Sequence, residues 1–230
     1  MSESRGAIGE VDGKYYEVVK TGGLAARLAR LARERMHADF MRLCAPGPET
    51  KILDVGVSDV MRDEANMLER LHPFSEAITA VGLGEARAFQ DAFPKVRYQR
   101  IEPGAPLPFA DNAFDVSVSN AVLEHVGSAT EQRRFLAELL RVGRRTFVTV
   151  PHRFFPVEHH TGIPFAHWSD RAFPPVCRML GKAEWGEVAN LILMSRARLA
   201  SCCPAGRTAR IGMTGLRLGW FSSNLYLFAE

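Results

Sequence analysis

Four short apolar runs, each closed by a polar or glycine-bearing loop, constrain the fold of this chain more than any other feature. They are KILDV at 51–55, AITAV at 77–81, FDVSVS at 114–119 and RTFVTV at 145–150. Runs this short and rich in β-branched residues suit strands buried on both faces, as in parallel sheets. Helical patterns separate them, around Arg62 to His72 and from Glu85 to Phe93, and Val96 to Ile101 supplies one more strand. Ser128 with Glu131 three residues later forms a capping box. It opens a helix to Val142 with Phe135, Leu136, Leu139 and Leu140 on one face. Two further runs, Arg207 to Leu218 and Ser223 to Phe228, read as a closing antiparallel pair, after helices at 173–181 and 195–202. The alternation predicts an α/β fold: a Rossmann-like, doubly wound, seven-stranded sheet, mostly parallel, with a C-terminal hairpin and helices on both faces.

Upstream, Leu24 to Leu43 has the spacing of an amphipathic helix, with Leu24, Leu28, Leu31, Arg35 and Met36 on one stripe and Arg27, Arg30 and Arg33 on others. The arginines read first as a solvated face, with contact to a membrane surface as the other reading. Ala45-Pro46-Gly47-Pro48 ends the helix. Residues 1–23 read as a mobile terminus, and 24–230 as one domain with 152–194 as a segment over the sheet.

Open α/β sheets bind ligands outside the carboxyl ends of their strands. Three loops qualify. Asp54 and Gly56 follow the first strand, and the glycine permits close approach to the backbone. Asn120, Glu124 and His125 follow the strand at 114–119. The run HRFFPVEHHTGIPFAHW at 152–168 follows the strand at 145–150. A neutral imidazole is the common general base near neutral pH, so His125, His152, His159 and His160 are the candidate catalytic groups. His125 has a second reading, in which it caps the loop by donating to a backbone carbonyl. Adjacent histidines on extended backbone point apart, and no helical Glu-x-x-His or His-x-x-x-His spacing occurs, so no metal site is expected.

Composition narrows the classes. A net charge of +3 without one long basic block does not suit a nucleic-acid binder. No apolar run reaches the ~20 residues of a membrane span, and the first residues lack an apolar signal core. The four cysteines show no Cys-x-x-Cys spacing and read as reduced thiols of a cytoplasmic protein. A serine nucleophile elbow and a phosphate-binding Gly-Lys loop are both missing.

The stretch Glu102, Leu107-Pro108-Phe109, Asp111 to Asp115, then Leu123 to Val126 resembles the class I S-adenosylmethionine-dependent methyltransferases, type 11-like. The resemblance covers 24–230 and is strongest over 96–168. Within it, the 152–168 tract is similar to a bacterial subgroup carrying PNRxFPVExHTxxPxxHW, some of whose genes lie near polysaccharide clusters. It implies S-adenosylmethionine as cofactor and S-adenosylhomocysteine as product. It implies Asp54, Gly56, Gly82, Glu102 and Asn120 as the cofactor-binding positions. Glu102 would receive the adenine amino group, while Asp54 and Asn120 would meet the amino-acid end. The implied acceptor is a small molecule or a glycan, free or lipid-linked, through a sugar hydroxyl. Two positions depart from the family pattern. The first loop has the single glycine Gly56, and Gly82 stands where the family carries a ribose-binding acid, with Glu85 the nearest acid. These departures motivate the alternative, a methyltransferase-like binding or scaffold protein without catalysis. Oligomeric state is not legible.

Overall fold

The computed structural model describes residues 23–59, 61 and 65–230. Seven strands form one sheet: β1 (Ile52–Val55), β2 (Ile78–Gly82), β3 (Arg97–Arg100), β4 (Phe114–Asn120), β5 (Gly143–Pro151), β6 (Ala209–Leu218) and β7 (Phe221–Ala229). Their order is β3-β2-β1-β4-β5-β7-β6. The first five run parallel, while β7 is antiparallel to both β5 and β6. The Rossmann-like sheet and its closing hairpin therefore form as the apolar runs predict.

Alternation along each strand feeds two cores. Leu53 and Val55 of β1 pack on one face with Leu136, Leu139 and Val142 of the helix α4 (Ala129–Val142). Ile52 faces the other way, with Val116, Val118, Phe147 and Leu68. Leu136 and Leu139 are fully buried, and each such side chain contributes roughly 1.5–3 kcal/mol by leaving water. The expected capping box on α4 is present in both directions, Ser128 with Glu131.

The helix α1 (Leu24–Cys44) forms as expected, but its buried stripe differs. Ala32, Met36, Phe40 and Cys44 face the protein, while Leu28 and Leu31 are 41% and 37% exposed. The buried residues recur every four positions, a row that lies along one helix face. Phe40 sets that row by meeting Phe147 of β5 edge-on at 5.8 Å. The expectation of a packing face through Leu28 and Leu31 is corrected accordingly.

The helix expected around Arg62 to His72 shortens to α2 (Met67–Leu71), preceded by Asn66 in the left-handed region at φ 52°; part of the expectation lies outside the described residues. The remaining helices are α3 (Arg87–Ala92), α5 (Phe173–Met179) and α6 (Arg196–Ser201). The segment 152–194 carries its own apolar cluster of Ile163, Phe173, Cys177, Trp185, Leu191 and Leu193. The expectation of a mobile 1–23 lies outside the described residues apart from Gly23. Among the described residues, no helix is long and apolar enough to cross a membrane.

Gly143 opens β5 at a point where β4 comes unusually close. A Cβ there would fall 2.6 Å from Ser117 Oγ and 2.8 Å from the Ser117 backbone nitrogen. Gly143→Ala is expected to lower stability by about 1–3 kcal/mol through overpacking. A urea titration checks it: the midpoint should fall with the slope unchanged, and an unchanged midpoint would mean the sheet relaxes freely here.

Candidate functional site

Strand order reverses between β1 and β4, and a cleft lies there, outside their carboxyl ends. It encloses about 370 Å³ of empty space, part of it open to solvent. Asp54, Gly56 and Val57 line it from the end of β1, and Asn120 and Ala121 from the end of β4. Ala65, Asn66 and Met67 close one side, and Arg33 of α1 reaches in from another.

The first loop takes its shape from backbone hydrogen bonds. The amides of Gly56 and Val57 both donate to Val81 O, at 2.9 and 3.3 Å. Gly56 has φ 101°, and a Cβ on it would fall 2.3 Å from Val122 Cγ2. Only glycine meets both demands, so its conformational freedom and its lack of a side chain are each used here. Asn66 latches the far end of the loop: Ser58 N donates to its Oδ1 at 3.0 Å, and its Nδ2 donates to Ser58 O at 2.8 Å. Thr149 Oγ1 donates to Asn120 Oδ1 at 2.6 Å, which anchors Asn120 at the rim.

Asp54 is buried beside Glu69 of α2. Burial pushes Asp54 up to about 7. Burial, and then the neighbouring Asp54 charge, push Glu69 well above the carboxylate range. Among the described residues, the Glu69 carboxyl meets no hydrogen-bonding side chain other than Asp54. Burial outweighs the pull of Arg70 on Glu69, so the pair favours the protonated state, and a positively charged ligand at the cleft would oppose that preference.

The other implied cofactor positions lie elsewhere. Glu102 is exposed and faces Arg100 at 3.7 Å; Glu85 pairs with the same guanidinium at 2.9 Å. A Cβ on Gly82 would fall 3.0 Å from both Tyr98 Oη and Val57 O. The Tyr98 hydroxyl donates to Gly84 O at 2.6 Å and occupies the space an acid at 82 would need. The structure thus brings Asp54, Gly56 and Asn120 together in the cleft and leaves Gly82 and Glu102 outside its lining.

The four candidate histidines gather beyond Ala121, beside the cleft. Arg33 joins the two places, lining the cleft while its charge acts on Glu124, His159 and His160. His125 meets a backbone carbonyl, as its capping reading expects: its Nδ1 lies 2.8 Å from Asn190 O. Its Nε2 lies 3.1 Å from Nε2 of His160. Burial pushes His125 down to about 3. His160 is anchored from behind by Glu158, whose Oε1 accepts from Nδ1 at 2.8 Å. His152 and His159 line a small cavity with Glu124, Glu158 and His167. Nδ1 of His152 lies 3.2 Å from Ser222 O, and burial lowers His159 to about 4. Sequence reading missed Glu69 and Asn66, because the loop and turn that bring them to Asp54 have no periodic signature. It noted Glu124 without giving it a role.

Residues 53–146 match a family described as a methyltransferase domain. No curated protein matches the chain by sequence. Solved structures share the fold at low identity. A SAM-dependent methyltransferase from Aquifex aeolicus is 16% identical, with 96% of this chain and 95% of that one covered and a TM-score of 0.50. Magnesium protoporphyrin IX methyltransferase from Synechocystis with bound SAH is 14% identical, with 94% and 91% covered and a TM-score of 0.57. A possible histamine N-methyltransferase from Thermotoga maritima is 16% identical, with 89% and 90% covered and a TM-score of 0.53.

Asn66→Ala removes both halves of the latch on the first loop. It is expected to cost about 1–3 kcal/mol, the cost of buried hydrogen-bonding groups left unmade, and to speed hydrogen exchange at the Ser58 amide. Unchanged exchange there would show that the loop holds its shape without the latch.

Proposed function

Because residues 53–146 match a methyltransferase domain family and the sheet is like that of solved methyltransferases, we propose that this chain transfers a methyl group from S-adenosylmethionine to a small-molecule or glycan acceptor. The observation that carries the reading is the cleft at the β1/β4 reversal. Its buried Asp54, with Glu69 behind it, forms no salt bridge among the described residues, although Arg33 lines the same cleft. The cofactor carries an ammonium and a sulfonium, and either charge near Asp54 would stabilise the carboxylate. Gly56 lets the first loop close against Val122 at the cleft, and Asn120 supplies a fixed polar group at the rim.

In the reaction, a lone pair of the acceptor forms a bond to the methyl carbon. The carbon–sulfur bond breaks with its electron pair left on sulfur. The sulfonium is a good leaving group, so the protein chiefly contributes proximity and in-line orientation. A hydroxyl acceptor also gives up a proton, and His125, His152, His159 and His160 are the candidates to take it. The preference for a sugar hydroxyl rests on the resemblance of the 152–168 tract.

Calorimetric titration with S-adenosylmethionine and S-adenosylhomocysteine tests the reading. Micromolar binding of both is expected. No binding at millimolar ligand by the folded protein would favour the non-catalytic alternative, for which the blocked ribose position at Gly82 is the motivating observation.

The pH dependence of this binding carries its own sign. Asp54 is held near 7 in the free protein, and a cationic ligand binds its deprotonated form. Affinity for S-adenosylmethionine is therefore expected to rise as pH increases through about 7, with protons released to the buffer. Asp54→Asn should weaken binding by roughly tenfold or more, about 1.4 kcal/mol, and flatten the profile. An unaltered profile in that variant would remove Asp54 from the binding site.

A further inference from the structure

Glu124, His125 and His160 each offer one ligand atom, and the three atoms lie within 4.8 Å of one another. Three segments distant in sequence build this cluster: the loop after β4, the turn at 158–161, and the stretch around Asn190. Local spacing therefore gives no sign of it.

The tautomers follow from the second partners. Asn190 O can only accept, so Nδ1 of His125 carries the proton and its Nε2 presents a lone pair. Glu158 is a carboxylate that accepts from four donors. These are the His160 and Thr161 amides, the Thr161 hydroxyl and Nδ1 of His160. Nδ1 of His160 is thus protonated too, and its Nε2 faces Nε2 of His125 at 3.1 Å. Two lone pairs at that distance require something positive between them. A single proton would serve the two rings and place a charge near Glu124, but it would leave both Glu124 oxygens without a hydrogen bond. That side chain is 1% exposed, and neither of its oxygens has a hydrogen-bond partner.

A metal ion satisfies all three groups at once. Ligands about 2.0–2.1 Å from a tetrahedral ion stand roughly 3.3 Å apart, close to the spacing of the two Nε2 atoms. The outer partners are those that orient metal-binding histidines, a backbone carbonyl behind one ring and a carboxylate behind the other. Trp185 stacks on His160 at 4.9 Å and fixes that ring's plane. We propose that Glu124, His125 and His160 form a binding site for a divalent transition-metal cation of the zinc class. Two imidazoles and one carboxylate are a set that Zn²⁺ accepts readily, and three protein ligands leave a fourth position for water or an acceptor oxygen. The site replaces the expectation of no metal, which rested on adjacent histidines and helical spacing. His159, the adjacent histidine, lies outside the ligand set and packs on Phe155 instead.

The test uses the full chain without a purification tag, stripped with chelator and titrated with Zn²⁺ alone. About one equivalent is expected to bind tightly, and Co²⁺ in its place should give the visible absorption of a four- or five-coordinate site. Glu124→Gln and His160→Asn should each lower retained metal at least tenfold, while His159→Asn keeps it. Circular dichroism establishes which variants are folded. Should both ligand variants unfold, the wild-type titration and the Co²⁺ spectrum still decide. No stoichiometric binding at micromolar Zn²⁺, or an octahedral Co²⁺ spectrum, overturns the proposal. So does full retention by folded Glu124→Gln. No cofactor or acceptor enters the measurement, so failure of the methyl-transfer reading would leave this result unaffected, and the reverse holds too.

Discussion

Everything functional in this molecule depends on one constraint, the placing of β1 beside β4. The chain leaves β1, builds β2 and β3 to one side, then returns to hydrogen-bond on the opposite edge of β1. Right-handed crossovers then send the elements after β1 and β4 to opposite faces. Leu68 of α2 accordingly lies in one core and Leu136 of α4 in the other. The two loops diverge at the carboxyl ends, and nothing in the sheet fills the gap between them. The cleft is a product of connectivity before any side chain is chosen. The side chains at its wall, Asp54, Gly56 and Asn120, then decide what it takes.

A second constraint organises the segment over the sheet. Glu158 is buried yet held well below the usual carboxylate range, because His160 lies beside it and four donors converge on its oxygens. Those bonds close the turn from 158 to 161 and fix the His160 ring. Nearby, Arg153 donates to the carbonyls of His167 and Trp168 and pairs with Asp170 at 3.1 Å. The Nε2 of His167 lies 2.7 Å from Phe155 O. A tract that looks catalytic by composition is thus in large part a self-braced loop. His167 and Arg153 serve the brace, and His160 is the residue it presents.

This division marks how far the sequence could be read. The sheet was legible because apolar periodicity is a local property: the seven strands, the capping box at Ser128 and the closing hairpin all follow from it. The α1 stripe was less so. Leu28 and Leu31 are as apolar as the residues that are buried, and only the position of Phe147 chooses between the faces. Asp54, Gly56 and Asn120 were legible because a strand end locates them. Glu102 was placed by resemblance alone and lies at the surface with Arg100. The cluster of Glu124, His125 and His160 depends on a contact across 35 residues, and no periodicity encodes such a contact. Adjacency in sequence groups His159 with His160, whereas the turn at 158–161 presents only His160 to His125.

The buried acids carry the last step. Among the described residues, four carboxyls lie out of water: Asp54, Glu69, Glu124 and Glu158. Burial alone raises the pKa of each, and hydrogen bonds or cations lower it. Glu158 has its donors within two to three residues, ends well below the ordinary range, and serves structure. The other three are pushed upward; among the described residues the Glu124 oxygens have no hydrogen-bond partner, and Glu69 meets only Asp54. A folded chain leaves such groups unmatched at a cost of about 1–3 kcal/mol each, a cost that a structural role alone does not offset. They fall in two places: one at the floor of the β1/β4 cleft and one facing the paired imidazoles. In both places burial outweighs the cations within reach, Arg70 for Glu69 and Arg33 for Glu124, and the carboxyl pKa stays raised. Arg33 lines the first place, and its charge reaches Glu124 in the second.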